Sequence, residues 1–170
     1  MSFEDAIRSL NKLKRQRVIR DYSLIGAVAA TYYGEPISTE DLDIVILVDS
    51  DDEYIRAYRK IGEAADGLEG MHYILGDVPV QIFPSTVKPL YQDVVTNAHE
   101  ARSGSLRVKI ATAEHLVLLL LEAYRPKDKA RLPSLLVAAD DAKIRELLLR
   151  FDDEQATLTK RLEALRGEGI

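Results

Sequence analysis

YSLIGAVAATYYGEPISTEDLDIVILVD, residues 22–49, is the stretch whose reading decides the fold. It parses as a short strand over 21–25, a tight turn at Gly26 and a small helix over 27–33. A loop at Gly34, Glu35 and Pro36 follows, then an apolar strand over 41–48. Side chains on a strand alternate between faces, so Asp41 and Asp43 project together from the start of that second strand. Two anions held so close repel unless a cation or a donor lies between them. A pair of oxygen ligands suits a hard cation, Mg²⁺ or Mn²⁺. The spacing alone leaves a second reading open, a solvated strand start, because Asp is common at strand ends. Gly26 and Ala27 follow a strand and open a helix, where backbone N–H groups can cradle a phosphate.

The rest of the chain builds a frame around this stretch. Past its acids the 41–48 strand is apolar on both faces, as expected of a strand covered on each side by helices. Helices are predicted over 3–20, where Phe3, Ile7, Leu10 and Val18 recur at helical spacing, and over 53–65. The polar face of the first carries Lys12, Arg15 and Arg20, which reads either as the solvated face of a packed helix or as a basic surface able to meet RNA or the acids of a partner. Strands over 72–75 and 78–83 flank Gly76-Asp77 and form a hairpin. A short helix over 90–98 leads to a last strand over 105–110, read as a possible edge. From Thr112, a good N-cap, the chain is helical. The fold class is therefore α/β with a small mixed sheet of about four or five strands. The 170 residues form one domain, with an α/β core over 20–111 and a helical segment over 112–170.

Composition closes off several functions. A net charge of −5 and no cysteine exclude a globally basic nucleic-acid binder, a disulfide framework and a thiolate metal site. His72, His99 and His115 lack metal-ligand spacing, Ser38 and Ser85 have no nearby base, and no P-loop follows Gly67 or Gly70. The longest apolar run, 116–121, is too short to cross a bilayer, and the acidic opening residues do not form a secretory signal. A cytoplasmic location without membrane contact is expected.

The order strand, Gly26-Ala27, helix, Gly34, then Ser38-Thr39-Glu40-Asp41-Leu42-Asp43-Ile44 resembles the DNA polymerase beta-type nucleotidyltransferase superfamily. Within it, the string is most similar to small bacterial proteins of the AbiEii type, whose later Lys-Asp is matched by Arg125-Pro126-Lys127-Asp128. The likeness spans residues 20–138. It implies a nucleotidyltransferase-like core that moves a nucleoside monophosphate from an NTP to a hydroxyl, with Mg²⁺ or Mn²⁺ held by Asp41 and Asp43. It places Gly26, Ala27, Thr39, Lys127 and Asp128 at the nucleotide. The residues alone give Asp128 another role, at a helix start after Pro126. The acceptor, whether RNA, protein or small molecule, is not legible. The superfamily's third carboxylate comes from a neighbouring strand, and on 78–83 the matching residue is Gln81. An amide adds no charge and cannot act as a base. The rival expectation is thus a weak or inactive member that binds a nucleotide or a partner protein, as in a toxin–antitoxin pair.

Overall fold

The computed structural model describes residues 3–34 and 38–167, Ser103 by its backbone alone. Of the loop expected at Gly34, Glu35 and Pro36 only Gly34 is among them, and the tail beyond residue 167 lies outside. The chain divides into two compact units, Met1–Ala29 with Ile37–Ala111, and Ala30–Pro36 with Thr112–Ile170.

The first unit is built on a mixed sheet. Its strands are β1 (Tyr22–Ile25), β2 (Leu42–Ile46), β3 (Gly67–Glu69), β4 (His72–Leu75), β5 (Val78–Pro84), β6 (His99–Ser103) and β7 (Leu106–Ile110). They lie in the order β3-β4-β5-β2-β1-β7-β6. β2 runs parallel to β5 and β1 parallel to β7, while every other pairing is antiparallel. Seven strands exceed the expected four or five. The two additions, β3 and β6, are the edges, and neither carries an apolar run: β3 is exposed throughout, and β6 reads His-Glu-Ala-Arg-Ser. Strand 105–110 is consequently an inner strand, not an edge.

Helices α1 (Phe3–Arg15), α3 (Asp51–Ala64) and α4 (Pro89–Thr96) cover the sheet. The Tyr22 hydroxyl donates to Asn11 of α1, and Tyr73 of β4 packs its ring on Tyr58 of α3. The register places Tyr22, Ile44, Val80 and Tyr73 on one face, so α1 and α3 share it. Lys109, on the other face, donates to the Val95 carbonyl of α4. Coverage from both sides is why β1 and the apolar part of β2 are buried at nearly every position.

Helix α1 stops well before residue 20. Arg17 adopts φ 58°, and the Val18 N–H reaches back to the Leu13 carbonyl, the 6→1 bond of a Schellman end. An arginine in place of the usual glycine left no mark in the sequence. The β4–β5 hairpin turns on Gly76 and Asp77, at φ 57° and 62°, the positive pair that a two-residue type I′ turn needs. Gly76 also has Asp5 and Ala6 of α1 so close that a Cβ would fall 2.6 Å from the Asp5 Cβ.

In the second unit are α5 (Ala113–Ala123), α6 (Pro126–Ala138), α7 (Asp141–Phe151) and α8 (Thr157–Gly167). Thr112 caps α5, its hydroxyl accepting from the His115 N–H. Tyr124 ends α5 in the left-handed region, with the cations of Lys129 and Arg161 over its ring. The Arg161 guanidinium also donates to the Leu121 and Glu122 carbonyls, which tethers α8 to the end of α5. Asp152 precedes α8 and accepts from the backbone N–H groups of Leu158 and Thr159, so the last helix begins later than its acids suggest.

Candidate functional site

The chain leaves β1 at Ile25 and turns at Gly26, which opens the six-residue helix α2 (Gly26–Thr31). Gly26 has φ +68°, and a Cβ there would lie 2.2 Å from Asp43 Oδ2. Both facts demand glycine: side chains are rarely tolerated at this φ, and the space is already taken by a carboxylate. The turn is thereby fitted closely to Asp43.

Asp43 is the second residue of β2 and half-buried. Its cross-strand neighbours are Ile25 on β1 and Gln81 on β5. Directly opposed residues share a face. Gln81 therefore stands beside Asp43 on the adjacent strand, the position from which the resemblance expects a third carboxylate. Gln81 is half-buried between Val80 and Ile82, both of which point into the core on the other face. Asp43, Gly26 and Gln81 come together at one end of the sheet, drawn from three elements.

Asp41 lies one residue before the ladder begins and is exposed. The Thr39 hydroxyl donates to the Asp41 carbonyl at 3.4 Å, which braces the lead into β2 from the main chain. Ala27 is buried in the first turn of α2. Among the described residues no group of three or more His, Cys, Asp or Glu side chains could hold a metal. The carboxylates of Asp41 and Asp43 with the Gln81 amide oxygen make an all-oxygen set. Mg²⁺ is held by one or two carboxylates plus the phosphates of a substrate, and this set fits that mode rather than an all-protein cage.

Lys127 and Asp128 belong to the second unit. Asp128 is fully enclosed and serves as N3 of α6, accepting from the Arg125 backbone N–H at 3.1 Å and its guanidinium at 2.6 and 3.1 Å. Burial pushes the Asp128 carboxyl up, but the Arg125 hydrogen bonds outweigh it and hold the group below the usual range. The helix-start role read from Pro126 and Asp128 is the geometry observed. Lys127 beside it is exposed.

Sequence reasoning missed the contact of Gly26 with Asp43, and with it the reason glycine stands there. The available signal was topological: a glycine ending a strand antiparallel to the Asp-x-Asp strand falls opposite its acids.

No protein-family model matches the chain, and no curated protein matches it. Solved structures do. The chain is similar to an antigenic nucleotidyltransferase-like protein from Paracoccidioides brasiliensis at 17% identity and TM-score 0.59, covering 94% of each chain. It is also similar to the antibiotic-resistance factor ANT(2″)-Ia in solution, at 11% identity and TM-score 0.52, covering 96% of this chain and 94% of that one. ANT(2″)-Ia in complex with adenylyl-2″-tobramycin gives 10% identity and TM-score 0.54, with 94% and 96% covered. The fold is that of the nucleotidyltransferases. The finer AbiEii-type likeness is not among these matches. Among the described residues, no helix is long and apolar enough to cross a membrane.

Proposed function

We propose that this chain is a nucleotidyltransferase-like protein that binds an NTP, with Mg²⁺ or Mn²⁺, at the end of the sheet where Asp43 lies between Gly26 and Gln81. The observation that carries the reading is the cross-strand pairing of Asp43 with Gln81, on a sheet of nucleotidyltransferase fold. Asp41 and Asp43 would hold the metal, which when bound neutralises phosphate charge. Gly26 and Ala27 offer backbone N–H groups to the phosphates, and Thr39 steadies the approach to Asp41. The resemblance adds Lys127, with Asp128 fixing the helix start next to it.

The transfer proposed is of a nucleoside monophosphate to a hydroxyl of unknown parentage, RNA, protein or small molecule. ANT(2″)-Ia bound to adenylyl-2″-tobramycin shows that a protein of this fold accommodates an adenylylated small molecule. A cytoplasmic bacterial protein of the AbiEii-like branch is the setting we infer.

Gln81 favours a second reading. Beside Asp43 it supplies neither a negative charge nor a base, and base assistance alone contributes about 10²–10⁴-fold to a rate. The chain would then bind a nucleotide or a partner protein, as in a toxin–antitoxin pair, with feeble or no turnover. One experiment separates the two. The protein is incubated with each of the four NTPs labelled at the α-phosphate, with and without Mn²⁺, and transfer to itself, tRNA or lysate components is followed. Label transfer lost in Asp43→Asn supports the enzyme. Nucleotide binding without transfer, turned into transfer by Gln81→Glu, supports the second reading. Absence of any nucleotide binding defeats the enzyme and leaves of the second reading only the partner-binding form.

A further inference from the structure

Away from the carboxylates, the first unit contains a cavity of about 410 Å³ lined by Arg8, Ser9, Asn11, Lys12, Arg15 and Leu106. Three of the six are cations and none is an acid, in a chain whose net charge is −5. Arg8, Lys12 and Arg15 stand at i, i+4 and i+7 along α1, hence on one stripe. All three are exposed. Arg8 is paired loosely with Glu4 and Asp5, at 3.8 and 4.0 Å, while Lys12 and Arg15 make no ion pair among the described residues.

The place of the cavity separates it from the Asp43 site. Leu106 alternates with Val108 and Ile110, and Ile110 is level with Leu24, whose partner Ile44 points away from Asp43's face. Along β7, Leu106 lies four residues before Ile110, about 13 Å toward the end of the sheet remote from Gly26. A cation site on the opposite face and toward the opposite end cannot serve the phosphates of a nucleotide held at Asp43. The three cations span about 10.5 Å along the helix axis, which suits successive phosphates of a chain better than one isolated group.

We infer that the α1 stripe and its cavity bind the phosphodiester backbone of a single-stranded RNA. Arg8, Lys12 and Arg15 each meet a phosphate, Leu106 gives a base or ribose an apolar contact, and the half-buried Ser9 hydroxyl is within the lining to meet a ribose 2′-hydroxyl, the group that distinguishes RNA from DNA. The inference is independent of transfer chemistry and is tested without NTP or metal.

The test is fluorescence anisotropy of a labelled oligo-uridine strand across a salt series. Three phosphate contacts on a single strand predict a slope of log K against log salt near −2, or about a 20-fold loss of affinity from about 50 to about 200 mM salt. The double substitution Lys12→Gln with Arg15→Gln should shrink that loss to about 3-fold. Arg59→Gln with Lys60→Gln, exposed positions on α3 outside the cavity, removes the same charge and should leave the slope as it was. An unaltered slope in the α1 variant, or an equal change in the α3 variant, overturns the site. No binding at the lowest salt does the same. Equal binding of oligo-deoxyuridine overturns the assignment to RNA, and tighter binding of polyglutamate shows that the stripe is made for an acidic protein.

Discussion

Asp128 and Asp43 were both read from short motifs, and the protein treats them in opposite ways. Asp128 is fully enclosed, and its two oxygens are taken by a residue three positions away, Arg125. Asp43 is half-buried, and what surrounds it arrives from afar: Gly26 from the end of β1 and Gln81 from β5. A carboxylate satisfied by its own helix start is a piece of architecture. One pressed against a glycine turn and set opposite an amide is placed by the assembled sheet rather than by its own helix start.

The sharpest way to break this contrast is at Gly26. Gly26→Val puts a β-branched residue at φ +68°, a strain of about 1–3 kcal/mol, and drives its Cβ into Asp43. Gly70 is the control, since it has φ +59° and nothing within 4 Å. Urea unfolding should find Gly26→Ala clearly more damaging than Gly70→Ala. Adding Asp43→Ala should recover part of the Gly26→Ala loss, a non-additivity expected only of residues in contact. Equal losses for the two alanines would mean that φ alone selects glycine at 26.

Asp128→Ala comes next in size. It removes a cap whose loss typically costs about 0.5–2 kcal/mol, together with both contacts of the Arg125 guanidinium to it. Lys127→Gln, one residue away and exposed, should change stability by less than about 0.5 kcal/mol. If Lys127 meets the nucleotide, this variant alone of the two lowers NTP affinity while the unfolding midpoint stays put. A midpoint as low as that of Asp128→Ala would make Lys127 structural.

The contrast also explains what the sequence made legible. Helix starts at Thr112 and Asp128 are local codes, complete within a few residues, and each is found where its letters say. The apolar interior of β2 announced coverage on both faces for the same reason. What escaped was set at a distance. β3 and β6 pair at the edges without an apolar alternation of their own, so nothing local marked them as strands. The end of α1 at Arg17 breaks the rule that glycine occupies a left-handed cap. Of the site, Asp43 and Gly26 were singled out one by one, but their contact and the register with Gln81 exist only once the sheet is assembled.

Smaller and more diffuse is the response to acid. Asp21 is half-buried, and although burial raises its carboxyl, the ammonium groups of Lys109 and Lys14 pull it below the usual range. Asp128 and Asp152 are also lowered, against burial, by the hydrogen bonds of Arg125 and Thr159. A group depressed in the folded state stabilises above its unfolded value, about 3.9 for Asp, and loses that contribution as pH falls through the folded one. The melting temperature should therefore hold steady at neutral pH and drop below about pH 4. Lys109→Met should flatten that drop, and an unchanged acid limb would remove Asp21 from the account.

The most direct test of the central claim is a thermal-shift titration with ATP and Mn²⁺ on three proteins: the natural chain, Asp43→Asn and Gln81→Glu. A ligand at about 100 times its Kd stabilises the folded state by about 2.7 kcal/mol, a shift easily read. The natural chain should melt higher with ATP and Mn²⁺ together than with either alone. Asp43→Asn should lose that rise while remaining folded, and Gln81→Glu should reach it at lower Mn²⁺ because a third carboxylate then joins Asp41 and Asp43. A full rise in Asp43→Asn, or no change of Mn²⁺ dependence in Gln81→Glu, would contradict the placement of the nucleotide and metal at this end of the sheet.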